Sequence, residues 1–222
     1  MLFKHLNEDY YKKLVELKTI NENNQRLYVT PEGKQYPSVT TVLGWDTKKG
    51  ILAWRKRVGE EVANKISRQA SARGSRFHYQ CEDYLNNKEP KIVGPAEKMM
   101  FNSIKPFLNR INNIQLQEKS LYSNHLETAG RVDCIAEFDG RLSIIDFKTS
   151  SKPKSKEWIT NYFCQGSAYA VMYEELTGVP VDTIAILIAV EGDEPQLFRV
   201  KRDDYIAKYI DIRNRYRQAN GI

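Results

Sequence analysis

The sequence predicts an α/β protein whose core is a mixed β-sheet in the element order α-β-β-β-α-β, placed after an N-terminal, mainly helical lobe. Three observations carry this reading. First, Gly130–Ser150 (GRVDCIAEFDGRLSIIDFKTS) reads as a hairpin: arms Arg131–Phe138 and Arg141–Lys148 flank Asp139-Gly140, a pair that accepts positive φ in a two-residue turn. Second, a helical segment, Trp158–Leu176, follows the hairpin and leads into an apolar strand, Asp182–Val190. Such a crossover lays the strands on either side of it parallel, whereas hairpin neighbours are antiparallel, so the sheet is mixed with helices on it. Third, the hairpin is preceded by a helix over Pro95–Ile111, striped by Met99, Met100, Ile104, Phe107, Leu108 and Ile111, and by a strand over Ile114–Ser123.

The elements follow in order. Residues 7–19 have the pattern of a short amphipathic helix, with Tyr11, Leu14, Val15 and Leu17 available for packing. Arg26–Thr30 and Lys34–Tyr36 are short strands around the turn Pro31-Glu32-Gly33. Pro37-Ser38-Val39-Thr40-Thr41-Val42-Leu43 starts a helix, and its hydroxyls at Ser38, Thr40 and Thr41 read either as caps or as phosphate contacts at free N–H groups. Ile51–Ile66 is helical, with Ile51, Leu52, Trp54 and Val58 on one face and Arg55 beside them; Trp54 reads either as half-buried core or as a base-stacking aromatic. A second helix, Ser75–Leu85, begins after Arg73-Gly74 and puts His78 and Glu82 on one face, which alone describes a partly buried histidine bonded to its helix neighbour. In the strand Ile114–Ser123, alternation puts Ile114, Leu116 and Glu118 on one side. Gly178-Val179-Pro180 stops the crossover helix, Pro195–Lys201 is an edge strand, and Asp204–Gln218 is a closing helix. The lobe is expected over residues 1–92 and the core over 93–222, with one integrated domain as the alternative.

Totals exclude several classes. At 222 residues with 41% hydrophobic and 28% charged content, the chain is long and apolar enough to bury a core. No apolar run reaches membrane-spanning length, and the N-terminus MLFKHLNEDYYKKL lacks the apolar core of a signal peptide and is too acidic for a transit peptide. A cytoplasmic protein with no membrane partner is the expectation. Cys81, Cys134 and Cys164 are too few and dispersed for a disulfide framework or a four-thiolate metal site, and read as small buried residues. The segment 45–80 holds nine Lys and Arg against three Asp and Glu, an excess equal to the whole chain's +6. That is either a solvated helix face or the footprint of a polyanion.

The hairpin carries the chemistry. Asp146 and Lys148 lie two apart on one arm and so share a face, opposite Ser143, Ile145 and Phe147. A buried acid and amine need partners, and a metal with a phosphate supplies both. If Asp133 on the other arm faces the same way, two carboxylates and a lysine converge, which is the geometry of a metal-dependent phosphodiesterase. Gln165 and Tyr169, four apart on the following helix, meet a common neighbour.

An acid on the first arm, Asp-x-Lys on the second and Gln-x-x-x-Tyr on the next helix together resemble the RecB-like branch of the PD-(D/E)XK nucleases. Pro37–Leu43, the run Arg73-Gly74-Ser75-Arg76-Phe77-His78, and Leu116-Gln117-Glu118 before Ala129-Gly130-Arg131-Val132-Asp133 resemble the mitochondrial genome maintenance exonuclease group, and the likeness spans about Tyr36 to Val190. The resemblance implies a restriction-endonuclease-like sheet and a DNA nuclease preferring single strands or free ends, working in replication, recombination or repair, with proteins of those processes as possible partners. It implies Mg²⁺ or Mn²⁺ held by Asp133, Asp146, the Phe147 carbonyl and His78, with catalysis by Asp133, Asp146, Lys148, Gln165 and Tyr169. Glu82 is then an orienting neighbour or a structural partner, and Glu118 either holds a nearby arginine or simply flanks the strand. DNA contacts are expected from Ser38, Thr40, Thr41, Trp54, Arg55, Arg73, Arg76, Lys152 and Lys154. A structure-specific endonuclease and a DNA-binding subunit without catalysis stay open beside the exonuclease.

Overall fold

The computed structural model describes residues 2–6, 11, 14–22 and 25–221. A small antiparallel sheet, β1 (Lys18–Glu22), β2 (Gln25–Val29) and β3 (Gln35–Pro37), comes first. Helices α1 (Val39–Val58), α2 (Glu60–Leu85) and α3 (Pro95–Leu108) follow. The main sheet has the order β4 (Ile111–Ser123), β5 (Thr128–Phe138), β6 (Arg141–Ser150), β7 (Thr183–Val190) and β8 (Gln196–Lys201). Helix α4 (Thr160–Thr177) connects β6 to β7, which are parallel, and every other pair in that sheet is antiparallel. Helix α5 (Ile206–Asn220) closes the chain. The predicted mixed sheet and the α-β-β-β-α-β order are therefore present.

Strand β7 is buried along its whole length, as a strand covered on both faces must be. Its Ile184, Ile186, Ile188 and Val190 pack with Phe163, Met172 and Tyr173 of α4 and Tyr209 and Ile212 of α5. Its Ala185, Leu187 and Ala189 pack with Phe77, Cys81 and Leu85 of α2 and Phe101 and Ile104 of α3. The side-chain period of two thus divides the core into two layers, one on each face of the sheet. All three cysteines are buried within these layers.

Several expectations change in the N-terminal part. Of the helix expected over 7–19, residues 7–10, 12 and 13 lie outside the described residues; 14–17 are not helical, and Lys18 and Thr19 belong to β1. Leu17 still buries, in the small cluster with Tyr28 and Tyr36, and Leu14 packs partly buried against the layer under α4, neither from a helix. The helix expected at Ile51–Ile66 is broken at Gly59, whose φ of 87° suits glycine and ends α1. The expected break at Arg73-Gly74 is absent: α2 runs straight through, because a helical glycine costs only about 1 kcal/mol against alanine. Between Leu43 and Phe77 only Ala63 is buried. The end of α1 and the first half of α2 therefore stand off the body as a two-helix arm, with Ile51 and Leu52 exposed rather than packed.

Strand β4 does not alternate as its sequence suggests. A bulge between Asn112 and Leu116 shifts the register, with Asn113 at φ 46°. Ile114 consequently packs in the layer under α2 and α3, and Leu116 in the layer under α4. The long helix expected to reach Ile111 stops at Leu108, and Ile111 starts β4. Among the described residues no helix is long and apolar enough to cross a membrane.

Candidate active site

The site forms where β5 and β6 part. Their ladder runs from Phe138–Arg141 to Cys134–Ile145 and ends there. Beyond that point β5 continues beside β4 to Thr128, while β6 continues beside β7 to Ser150. At the parting, the Phe147 N–H donates 2.8 Å to Oδ2 of Asp133. The carboxylate takes the place of the missing ladder acceptor, so Asp133 is fixed at the fork by a charge-assisted bond.

Asp133 also reaches the α2 side. Its Oδ1 lies 3.5 Å from Nδ1 of His78, whose ring stands edge-on to Phe147 at 6.4 Å between centroids. On the neighbouring strand, Gln117 pairs with Cys134 and Lys119 with Val132, which sets Glu118 across from Asp133. Glu118 has φ 47°, an uncommon value for a non-glycine residue. Its Oε1 lies 3.9 Å from His78 Nδ1. His78, Glu118 and Asp133 each offer one ligand atom, and these three atoms all fall within 4.8 Å of one another. Burial works against a charged His78, but Asp133 and then Glu118 outweigh it and hold its pKa above the ordinary histidine value. Burial, then Glu118 and Asp83, raise the pKa of Glu82 above the ordinary carboxylate value.

Asp146 and Lys148 share the α4 side of β6, as their spacing predicts, with Ile145 and Phe147 on the other. Lys148 Nζ donates 2.6 Å to Asp146 Oδ1 and lies 2.5 Å from Oδ2. Gln165 Nε2, from α4, donates 3.2 Å to Asp146 Oδ1. Asp146 is 2% exposed. Burial pushes its pKa up to about 6 against the pull of Lys148, and Asp133 adds to the rise. Burial opposes the Lys148 ammonium in turn, yet Asp146 and Asp133 outweigh it and raise its pKa above the ordinary lysine value. The ring of Tyr162 lies 5.1 Å from the ammonium and shields it further.

Tyr169 lies against Gly130, where a Cβ would meet its Oη at 2.7 Å and its Cε1 at 2.8 Å. Only a residue without a side chain lets this ring sit over the fork. Burial first, then Asp133 and Asp146, push the Tyr169 phenol well above its ordinary value, so it is a donor at neutral pH. The expected convergence of Asp133, Asp146, Lys148, Gln165 and Tyr169 is therefore seen around one fork, with His78 and Phe147 adjoining. One detail differs from the simplest expectation: Asp133 reaches through the parted strands to the α2 side rather than lying flat beside Asp146.

The donor set suits a hard divalent cation. The His78 imidazole and the Glu118 and Asp133 carboxylates gather within one ion's reach. Glu118 is the residue that sequence reasoning left undecided. No arginine claims its carboxylate among the described residues; Arg131 takes only its backbone carbonyl. Alternation could not reveal it, because the bulge and the left-handed φ turn it out of phase with Leu116.

The expected DNA contacts fall into three kinds. Ser38 is buried and caps α1, accepting 2.9 Å from the Thr41 N–H, while its hydroxyl also meets those of Thr40 and Thr41. A bridge from Ser38 to Ala129 puts this helix start beside β5, next to Gly130. Arg55, Arg73 and Arg76 are tied to acids: Arg55 to Glu60, Arg73 to Glu191 at 3.1 Å and Arg76 to Glu97 at 2.5 Å. Arg73 also donates 3.4 Å to Thr149, beside Lys148, and with Arg76 it lines a cavity of about 560 Å³ at the start of α3. Trp54 is half-buried on the arm, Lys152 is exposed, and Lys154 is half-buried with its backbone held by Gln196.

Mitochondrial genome maintenance exonuclease 1 of Mus musculus is 31% identical over 128 residues, which are 53% of this chain and 38% of the mouse protein. The Homo sapiens protein of the same name is 30% identical over 130 residues, again 53% of this chain and 38% of the relative. The chain thus matches less than two fifths of the length of these relatives. The PD-(D/E)XK nuclease superfamily profile matches residues 48–209, a span that contains His78, Glu118, Asp133, Asp146, Lys148, Gln165 and Tyr169, and the chain belongs to that superfamily.

Proposed function

We propose that this chain is a metal-dependent DNA exonuclease that hydrolyses phosphodiester bonds, prefers single strands or free ends, and serves DNA replication, recombination or repair. The observation that carries the reading is the fork itself: the His78–Glu118–Asp133 cluster and the buried Asp146–Lys148 pair meet at one parting of two strands. PD-(D/E)XK nucleases use divalent metals. Here Mg²⁺ or Mn²⁺ would be held by Asp133, Asp146, the Phe147 carbonyl and His78, with Glu118 joining them. When bound, the ion supplies Lewis-acid polarisation of the phosphate and lowers the pKa of water.

The protein's own groups do the rest. Lys148 keeps a full positive charge beside the reacting phosphate and offsets the negative charge that builds on its oxygens. A proton that it does not share with Asp146 orients the attacking water. Gln165 holds Asp146 in place, and Tyr162 covers Lys148, so that neither group swings out of the cleft. Tyr169 donates from the floor of the fork. Thr40, Thr41, Trp54, Arg73, Arg76, Lys152 and Lys154 flank the approach and guide the strand, their lysines and arginines by charge.

The test is digestion of linear and circular single-stranded DNA with Mg²⁺ and with chelator. Cleavage of linear strands only, abolished by chelator, is the expected result. Cutting of the circle would replace this reading with an endonuclease. Asp146→Asn and Lys148→Ala are expected to abolish cleavage while DNA binding survives; full activity of either would overturn the assignment of the site.

A further inference from the structure

Trp158 is 78% exposed, a rare placement for the side chain with the largest apolar area. It does not sit on loose chain. Its N–H donates 3.1 Å to the Ser155 carbonyl, and its neighbour Ile159 is buried in the layer under α4. The segment before it is pinned as well. Ser150 Oγ donates 2.6 Å to the Lys152 carbonyl. The Gln196 amide accepts from the Lys154 N–H at 2.7 Å and donates to the Lys154 carbonyl at 3.0 Å. The fold thus holds the backbone that carries this indole in place, and the ring itself stands in water, where a polar residue would cost nothing in packing.

Its surroundings point to an occupant. Lys152, Lys154 and Lys156 precede it, and Glu157 is the one acid between Ser150 and Trp158. Tyr162, four residues further on, lies in the first turn of α4, after the 3₁₀ turn that carries Trp158. The Tyr162 ring meets Lys148, which pairs with Asp146. An open aromatic face and lysines on a segment that continues from the reacting end of β6 are what an unpaired strand needs: charge for its phosphates and a ring for its base. In a duplex the faces of the bases are already stacked, so the ring would find no partner.

We infer that Trp158 is the stacking platform for a base close to the scissile phosphate, and that it makes the site selective for single-stranded DNA. This inference rests on the nuclease reading above and names a residue behind its preference for single strands. It is tested by filter binding of oligo(dT) and of a blunt duplex to the Asp146→Asn protein, alone and combined with Trp158→Ala or Trp158→Phe. Trp158→Ala is expected to weaken oligo(dT) binding roughly ten- to hundredfold and to leave duplex binding unchanged. Trp158→Phe is expected to retain most of the affinity, because the phenyl ring keeps the face. Unchanged oligo(dT) binding by Trp158→Ala, equal losses on both DNA forms, or no recovery with phenylalanine would each overturn the inference. So would failure of the Asp146→Asn parent to bind oligo(dT). The expected binding pattern together with a wild-type protein that cleaves no DNA under Mg²⁺ would overturn the nuclease reading and leave the stacking role standing.

Discussion

At the scale of single residues, the site turns on where two neighbouring strands depart from regularity. Asp146 and Lys148 were legible because β6 keeps its period of two through the fork, so their shared face follows from spacing alone. Glu118 was not legible, because a residue at φ 47° in a bulged strand no longer obeys the alternation that predicts its face. Its carboxylate, turned toward His78 and Asp133, is expected to contribute to cation affinity. Glu118→Gln should weaken Mn²⁺ binding roughly ten- to hundredfold, read by calorimetry on the protein without DNA. An unchanged affinity would return Glu118 to a structural role. Gly130 gives a second residue-scale prediction. In Gly130→Ala the new methyl must displace the buried Tyr169 ring, since its contacts at 2.7 and 2.8 Å are too short to tolerate. The variant is expected to stay folded and to lose activity by about 10²-fold, as a displacement of about 1 Å at a reacting centre does. Wild-type turnover in Gly130→Ala would remove Tyr169 from the machinery.

At the scale of elements, the sheet was readable and the lobe was only partly so. The strands of the sheet bury one or both faces, and burial imposes the patterns from which β5, β6 and β7 were read. The arm of α1 and α2 buries little, so its sequence carries weak periodicity, and the placement of its break at Gly59 rather than Gly74 followed from backbone conformation alone. Strand β1 was missed for a related reason: Leu14 and Leu17, just before it, repeat at a helical interval while packing outside any helix. Close packing of α4 on β7 shows a constraint that composition hides. A Cβ at Gly166 would fall 2.3 Å from Ile184 Cγ2, so the helix lies on the strand at a distance that admits no methyl. Gly166→Ala is expected to destabilise the protein by about 2 kcal/mol through overpacking, a fall of roughly 4–8 °C in Tm for a chain of this size. In an Ile184→Ala background, which lacks Cγ2, the Gly166→Ala penalty should be smaller, because the two positions share one contact. Additive effects of the two substitutions in thermal melts would show that the contact does not limit the packing.

At the scale of the whole molecule, charge is arranged along a path rather than spread over the surface. The excess of nine basic over three acidic residues in segment 45–80 now has a location. Arg55, Arg73 and Arg76 are engaged with acids, while Lys48, Lys49, Lys56, Arg57, Lys65 and Arg68 are exposed on the two-helix arm. Arg73 links the end of that arm to Thr149 and Glu191, at the exit of the fork. A strand bound along this arm would release counterions from each phosphate it neutralises. The logarithm of the binding constant should then fall linearly with the logarithm of salt concentration, with a slope of about −0.7 for each phosphate contacted on single-stranded DNA. Replacing Lys56 and Arg57 together by alanine is expected to make that slope shallower by about 1.4 when both contact phosphates. Because both side chains are exposed, Tm should not move. Arg141 and Lys201 provide the control, since they line a separate cavity at the Arg141 end of β6, away from Asp146 and Lys148. Their replacement should leave the slope unchanged. A slope altered equally by both pairs would mean that the arm attracts DNA only through net charge; a slope altered by neither would place the strand elsewhere on the molecule.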